Sequence, residues 1–396
     1  VEFPIGTPLR RRPFWARVAP TGDRLALLAG GIVDITDLQG KPLLTQREPL
    51  IWGFAWTPDG REVWYTASES GGGADRALFA LSLTGKRRLV ARIPGALNVH
   101  DVGPDGRSAL VSTGAGWVSI SAFHASERRE QSLDLLGRSQ LVGLSDDGRW
   151  LLAGEERDVR PGVYLRSTDG RETIFLGVDR PIGLSPDRAW ALVLDRANSA
   201  RAKLLPTGAG QPRDVPFPEG VEISAPPPRW SSDGRRLFAA FRPRGQQTAT
   251  FRIWLRDGDA PWRAVTSEGV LPAGLVPETF AVSPDGRTVA MRDASGAVTL
   301  FPTENNAPRR IAEERGTPIH WSADGRYLFI REDELPARIF RRDLRSGRRE
   351  LWREVAPADL TGVVGIMNVF LSHDGENYVY QYLRGLNDLY LAYRLR

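Results

Sequence analysis

The chain has 396 residues, 41% of them hydrophobic, no cysteine, and 53 basic against 48 acidic side chains, a net charge of +5. Without cysteine there is no disulfide framework, no thiolate nucleophile and no Cys-ligated zinc. Only Lys41, Lys86 and Lys203 among the basic residues are not Arg, and the Arg are interleaved with acids along the whole chain, so the charge reads as solvated surface and no nucleic acid partner is expected.

In chain order, one element recurs: an apolar residue, a small one, an Asp-Gly pair, then an apolar alternation. Its copies are VAPTGDRLA from Val18, WTPDGREVW from Trp56, VGPDGRSAL from Val102, LSDDGRWLL from Leu144, LSPDRAWAL from Leu184, WSSDGRRLF from Trp230, VSPDGRTVA from Val282, WSADGRYLF from Trp321 and LSHDGENYV from Leu371. Each reads as a tight turn between antiparallel strands, because Asp can bond the nearby backbone and Gly takes positive φ without a Cβ clash. Asp59, Gly60, Asp105, Gly106, Asp147, Gly148, Asp233, Gly234, Asp285, Gly286, Asp324, Gly325, Asp374 and Gly375 are therefore expected to be structural. Two copies depart from the pattern, with Thr21 in the Asp position and Arg188 in the Gly position.

The nine copies lie 38 to 52 residues apart, the range of four-stranded propeller blades and too long for one hairpin per repeat. A second set of turns falls between them: DLQGK at Asp37, SLTGK at Ser82, STDGR at Ser167, PTGAG at Pro206, RDGDA at Arg256 and RSGRR at Arg345. No stretch keeps a helical period. The expected fold is all-β, a single β-propeller domain over residues 1–396 with four-stranded antiparallel blades, eight or nine in number. The last repeat supplies three strands, so the N-terminal EFPIG within Val1–Arg12 is expected to pair with residues 362–396 and latch the ring.

The longest strongly apolar run, VVGIMNVFL from Val363 to Leu371, is far short of the roughly 20 residues that span a bilayer. No signal-peptide pattern precedes the first strand, and Val1 is expected to be a cut or mature terminus.

Catalytic signatures are missing. His100, His124, His320 and His373 have no zinc-ligand spacing, and HExxH does not occur. His320 and His373 sit beside or inside Asp-Gly turns and read as substitutions in a turn frame; His100 reads as a structural His on an innermost strand, or as a channel-lining ligand. There is no GxSxG elbow, and no GxGxxG, HRD or DFG of a protein kinase. The Gly-rich SESGGGADR from Ser68 lacks the Lys and helix of a phosphate loop. One carboxylate per turn falls short of the six to eight oxygens calcium takes. No cofactor, metal or catalytic residue is expected.

Binding belongs on variable loops of a rigid scaffold. Those loops are expected on the face opposite the Asp-Gly turns, at Ser68 to Arg76, Glu155 to Pro161, Pro243 to Ala249, Gly269 to Pro277 and Arg331 to Pro336. In the most charged of them, Arg157, Asp158 and Arg160 are the candidate contacts.

The repeat motif resembles the propeller repeats of the Tol-system periplasmic protein and of prolyl-oligopeptidase-type enzymes. Longer segments, TPDGREVWYTASESGGGADRALFALSLTGKRRLVARIPGALNVHDVGPDGR (Thr57 to Arg107), GVYLRSTDG (Gly162 to Gly170), ELPARIFRRDLRSGRRELWREVAP (Glu334 to Pro357) and GVVGIMNVFLSHDGENYVYQYLRGLNDLYLAYRLR (Gly362 to Arg396), resemble the TolB-like, WD-repeat-like C-terminal propeller of bacterial eukaryotic-like serine/threonine kinases. That resemblance implies a non-catalytic sensing or interaction module with a protein, peptide or small extracellular partner. It also implies an extracytoplasmic location if the kinase is a membrane protein, and a cytoplasmic one otherwise. The alternatives are the gating propeller of a prolyl-oligopeptidase-type hydrolase and a free-standing TolB-like periplasmic scaffold. A hydrolase propeller continues into an α/β segment, whereas this chain ends shortly after NDLYL at Asn387 to Leu391.

Overall fold

The computed structural model describes residues 15–29, 31–48, 51–68, 76–93, 96–133, 139–155, 162–196, 198, 200–223, 227–245, 251–266, 280–293, 295–304 and 307–395. Among these the secondary structure is all β, with no helix, and so no helix long and apolar enough to cross a membrane. Antiparallel four-stranded sheets succeed one another along the chain. Middle strands such as Glu62–Ser68 are buried nearly throughout, because neighbouring sheets cover both faces. Outer strands such as Arg349–Val355 are mostly open to solvent.

The chain divides into two compact units: residues 1–116 with 385–396, and residues 117–384. Both boundaries fall inside long strands, Ala109–His124 and Tyr378–Ala392. In the first unit a sheet of Trp15–Val18, Arg24–Ala29, Ile32–Asp37 and Pro42–Arg47 packs Leu28, Val33 and Ile35 against Phe54, Val63 and Phe79 of the next sheet. The next interface joins Trp64 and Leu78 to Leu97, Val99 and Val111. Gly53 is needed there, since a Cβ would stand 2.4 Å from the Val99 carbonyl oxygen.

In the second unit five sheets begin with Ser139–Leu144, Arg180–Leu184, Val221–Ile223 followed by Arg229–Trp230, Ala281–Val282 and Thr317–Trp321. The sixth joins Val363–Leu371 to the first part of Tyr378–Ala392, the second part of Ala109–His124, and Arg129–Ser132. Cores form between each successive pair, as where Leu152 and Leu165 meet Ala191 and Val193. The sixth sheet packs on the fifth through Ile366, Tyr378 and Tyr380, and on the first through Ile120, Leu141, Phe370 and Val379. Contacts between the sheets therefore run in a cycle.

The strand beside Tyr378–Ala392 in the last repeat is Ala109–His124, a position that the sequence reading gave to the N-terminus. Pairing partners across a sheet are set by tertiary packing, which a strand's own alternation does not encode. The expected latch, Val1–Arg12, lies outside the described residues.

Candidate functional site

The site is built by the turns. In WSADGRYLF the Ser322 hydroxyl donates to Asp324, whose Oδ1 also accepts the Arg326 N–H at 3.0 Å, while Tyr327 N–H donates to Ser322 Oγ at 2.8 Å. Gly325 takes φ +68°. The Ser322 hydroxyl and then the Arg326 N–H hold the Asp324 carboxyl below its ordinary range. Ser231 with Asp233, Ser283 with Asp285 and Ser372 with Asp374 repeat the arrangement. So does Ser185 with Asp187, where Arg188 itself adopts φ +62° and the turn survives without glycine. The turn dipeptides are distributed over both units and do not converge on a site.

These turns fix the direction of the residue between Ser and Asp. In the second unit Asp146, Pro186, Ser232, Pro284 and His373 form the rim of a cavity of about 110 Å³. Backbone bonds tie the rim: Asp146 N–H to Pro186 O at 3.0 Å, Ser232 N–H to Pro284 O at 3.2 Å and His373 N–H to Asp146 O at 2.9 Å. All six sheets line the cavity with the ends of their first strands, including Val142, Leu184, Ala281 and Ile319. It is the channel on which the six sheets converge.

Three charged or titratable features stand in it. Arg229, from the third sheet, lies with its guanidinium 4.6 Å from the ring centre of Phe370, in the sixth. The residue is half-buried, and desolvation lowers its pKa to about 10, which still leaves it a cation at neutral pH. No described carboxylate pairs with it; the described ion pairs all involve other residues. His320 is buried enough that desolvation pulls its pKa down to about 4, and its Nε2 has no hydrogen-bond partner. On the rim, His373 Nδ1 stands 3.7 Å from Asp146 Oδ2. Burial raises the Asp146 carboxyl, and His373 opposes that rise.

At the other end of the same strands is a cavity of about 370 Å³, lined by Gln140, Asp179, Arg180, Pro181 and Arg196. It adjoins the loop predicted to bind, but Arg157, Asp158 and Arg160 lie outside the described residues. In the first unit His100 shares a 2.8 Å hydrogen bond with Ser112 Oγ, beside a cavity of about 620 Å³ that it lines with Trp15, Arg17, Trp52, Phe54 and Asn98. His124 Nε2 is 3.0 Å from Thr168 O. Among the described residues no group of three or more His, Asp or Glu is placed to hold a metal.

Sequence reasoning missed Arg229, His320, His373 and Asp146 as a group. The signal was the position just before the apolar column, which reads Gly143, Gly183, Arg229, Ala281, His320 and Phe370 through these six sheets. Four members are small or apolar, and the two polar ones enter the cavity.

No protein-family model and no curated protein matches the chain. Among solved structures it is similar to a protein assigned as TolB from Agrobacterium tumefaciens, with 19% identity and a TM-score of 0.46, covering 69% of this chain and 99% of that one. It is also similar to TolB from Acinetobacter baumannii, with 16% identity and a TM-score of 0.31, covering 94% of this chain and 65% of that one. An oligogalacturonate lyase from Vibrio parahaemolyticus gives 11% identity and a TM-score of 0.41, covering 84% of this chain and 97% of that one. Likenesses at these scores carry no argument about activity or partners. The class that the sheets themselves define is the β-propeller.

Proposed function

We propose that the chain is a non-catalytic binding propeller whose ligand enters the channel of residues 117–384, a unit that forms a closed ring of six blades. The observation that carries this reading is Arg229, a half-buried charged side chain that lines the channel and has no counter-ion among the described residues. A partly desolvated cation with no described counter-ion costs stability, so its retention is better explained by something it binds than by the fold. The sequence adds the lack of every nucleophile and nucleotide motif sought in it. Its resemblance to kinase-attached propellers supports a sensing or protein-interaction role within a bacterial signalling serine/threonine kinase.

The reading is tested by selecting ligands from a mixture of random peptides with the full chain. Ser232, exposed at the rim, is the place for a plug. Ser232→Trp is expected to abolish retention of the enriched peptides, and Arg157→Ala to leave it intact. Retention that survives the plug and falls with Arg157→Ala would move the site to the opposite face and overturn the proposal. Saturable ATP hydrolysis abolished by a point substitution in this chain would overturn its non-catalytic part.

A further inference from the structure

We infer that the channel cavity is a carboxylate site, with Arg229 as the anchor and His320 as a neighbouring group that couples binding to proton uptake. This rests on the channel being the binding site, as proposed above. The third and sixth sheets are opposite members of the cycle, so Arg229 reaches across the channel to Phe370 and bars it. The guanidinium lies over the Phe370 ring, and among the described residues no carboxylate pairs with its N–H groups. A planar fork of that kind matches the two oxygens of a carboxylate better than a point charge does.

Charge and size narrow the class further. One cation is opposed at the rim by the Asp146 carboxylate, so the site favours a monoanion over a phosphate dianion. Val142, Leu184, Ile319 and Leu371 give apolar walls, and about 110 Å³ accommodates a short aliphatic acid or the last residue of a peptide. The shared chemistry is a carboxylate carrying a small apolar group.

His320 supplies the proton linkage. Its Nε2 is buried and bonded to nothing, and the ring is neutral near pH 7. A carboxylate held in the same cavity stabilises the imidazolium through space, so binding favours proton uptake by His320 and strengthens as pH falls. The titratable groups facing the cavity are Asp146, Arg229, His320 and His373; the sheets beginning at Arg180 and Ala281 present Leu184, Pro186, Ala281 and Pro284 there, none of which titrates. Asp147, Asp187 and Asp374 stand behind the rim and act at longer range.

Propionate is titrated into the full chain by calorimetry at constant ionic strength, with chloride and sulfate as controls. Saturable binding of propionate alone is expected, weakened at least tenfold in Arg229→Gln and less in Arg229→Lys. Affinity is expected to rise as pH is lowered from 7.5 to about 5.5, and His320→Gln to flatten that rise. A tetrapeptide ending in alanine, with a free or an amidated C-terminus, separates the two sources. Tighter binding of the free peptide than of propionate, lost on amidation, assigns the carboxylate to a chain terminus; propionate binding with no peptide binding assigns it to a small acid. Equal response to chloride, sulfate and propionate, an unchanged affinity in Arg229→Gln, or equal binding of the amidated peptide would each overturn the inference. Thermal melting controls for folding, because Arg229→Gln removes an unpaired cation and is not expected to lower the midpoint. If peptides are retained through the channel while propionate and the free C-terminus are not bound, the carboxylate assignment fails and the binding role stands.

Discussion

Two Arg residues occupy the same position of the repeat, just before the apolar column, and the two units treat them in opposite ways. In the first unit Arg17 is exposed, its Nη1 stands 3.9 Å from Asp101 and its Nη2 donates to the His100 carbonyl at 2.7 Å. In the second unit Arg229 is half-buried, stacks on Phe370 and meets no described acid. The repeat frame therefore tolerates a cation at this position in either setting, and what differs is whether the surroundings satisfy it. The Asp-Gly turns behave like Arg17: each carboxylate is bonded by the hydroxyl and the backbone N–H that its own turn provides. Satisfied polar groups explain the turns, and the Arg229 guanidinium without a described counter-ion is what the proposed ligand would satisfy.

The largest effect should come from a turn. Gly148 holds φ +70°, and a Cβ there would stand 2.8 Å from Asn377 Cβ and 3.1 Å from Ser372 Cβ. Gly148→Val adds backbone strain to overpacking, each costing roughly 1 to 3 kcal/mol, so a loss of about 3 kcal/mol or more is expected in denaturant melts. A loss below about 0.5 kcal/mol would mean that the turns are not what fixes the strand ends.

Arg229→Met should act in the other direction. Replacing a half-buried cation that has no described counter-ion with an apolar side chain of similar length is expected to raise stability by roughly 1 to 3 kcal/mol, less solvent screening and what the stacking on Phe370 contributes. If the variant melts lower than the wild type, Arg229 is a structural residue and its resemblance to Arg17 is closer than the structure indicates. A gain in stability joined to a loss of binding is the signature of a functional group kept at a cost.

These two sites also show what was legible in the sequence. The turn is local chemistry: Ser, Asp and Gly within four residues carry the whole hydrogen-bond pattern, so the repeats and the all-β class could be read directly. Sorting the repeats into sheets was not local. Ala109–His124 and Tyr378–Ala392 each pass from one unit to the other as one continuous strand. Gly114 and Gly116 in the first and Gly385 in the second stand at the change of unit, but a strand glycine marks a bend without naming the new partner. The channel groups stood in plain view, yet Arg229 is one of many Arg, and His320 and His373 fit a turn frame that accounts for their positions. What marks Arg229 and His320 is a partner missing among the described residues, which only three-dimensional packing can show.

The third test is acid stability, which the channel and the turns divide between them. His320 has a folded pKa lowered to about 4, so between its unfolded value near 6.5 and about 4 the unfolded chain binds more protons and stability falls as pH falls. The loss should be roughly 1 to 3 kcal/mol, discounted for the solvent that reaches the cavity. Asp233 and Asp324, whose folded values are depressed by Ser231 and Ser322 and then by backbone N–H groups, contribute above their unfolded range and lose that contribution below about pH 4. His320→Phe, which places in the fifth sheet the residue that Phe370 supplies in the sixth, should flatten the first segment and leave the second. An unaltered pH profile in that variant would remove His320 from the account.

The smallest effect is expected at Arg17. Arg17→Met removes a solvent-exposed ion pair with Asp101, of the kind that contributes about 0 to 1 kcal/mol. It also removes the donor to the His100 carbonyl, where water can take the place of the guanidinium because that carbonyl lies on an open cavity. Asp101 is exposed and is left as a hydrated carboxylate, so no buried charge is stranded. Trp56 Nε1 donates to the backbone oxygen of Arg17, a bond that the substitution keeps. The net loss should be about 0.5 kcal/mol, opposite in sign to the change at Arg229. Denaturant midpoints of Arg17→Met, Arg229→Met and the double variant decide it, since sites in separate units without shared partners should add. If Arg17→Met also stabilises the protein, an unsatisfied cation is not what distinguishes the channel, and Arg229 loses its claim to mark a binding site.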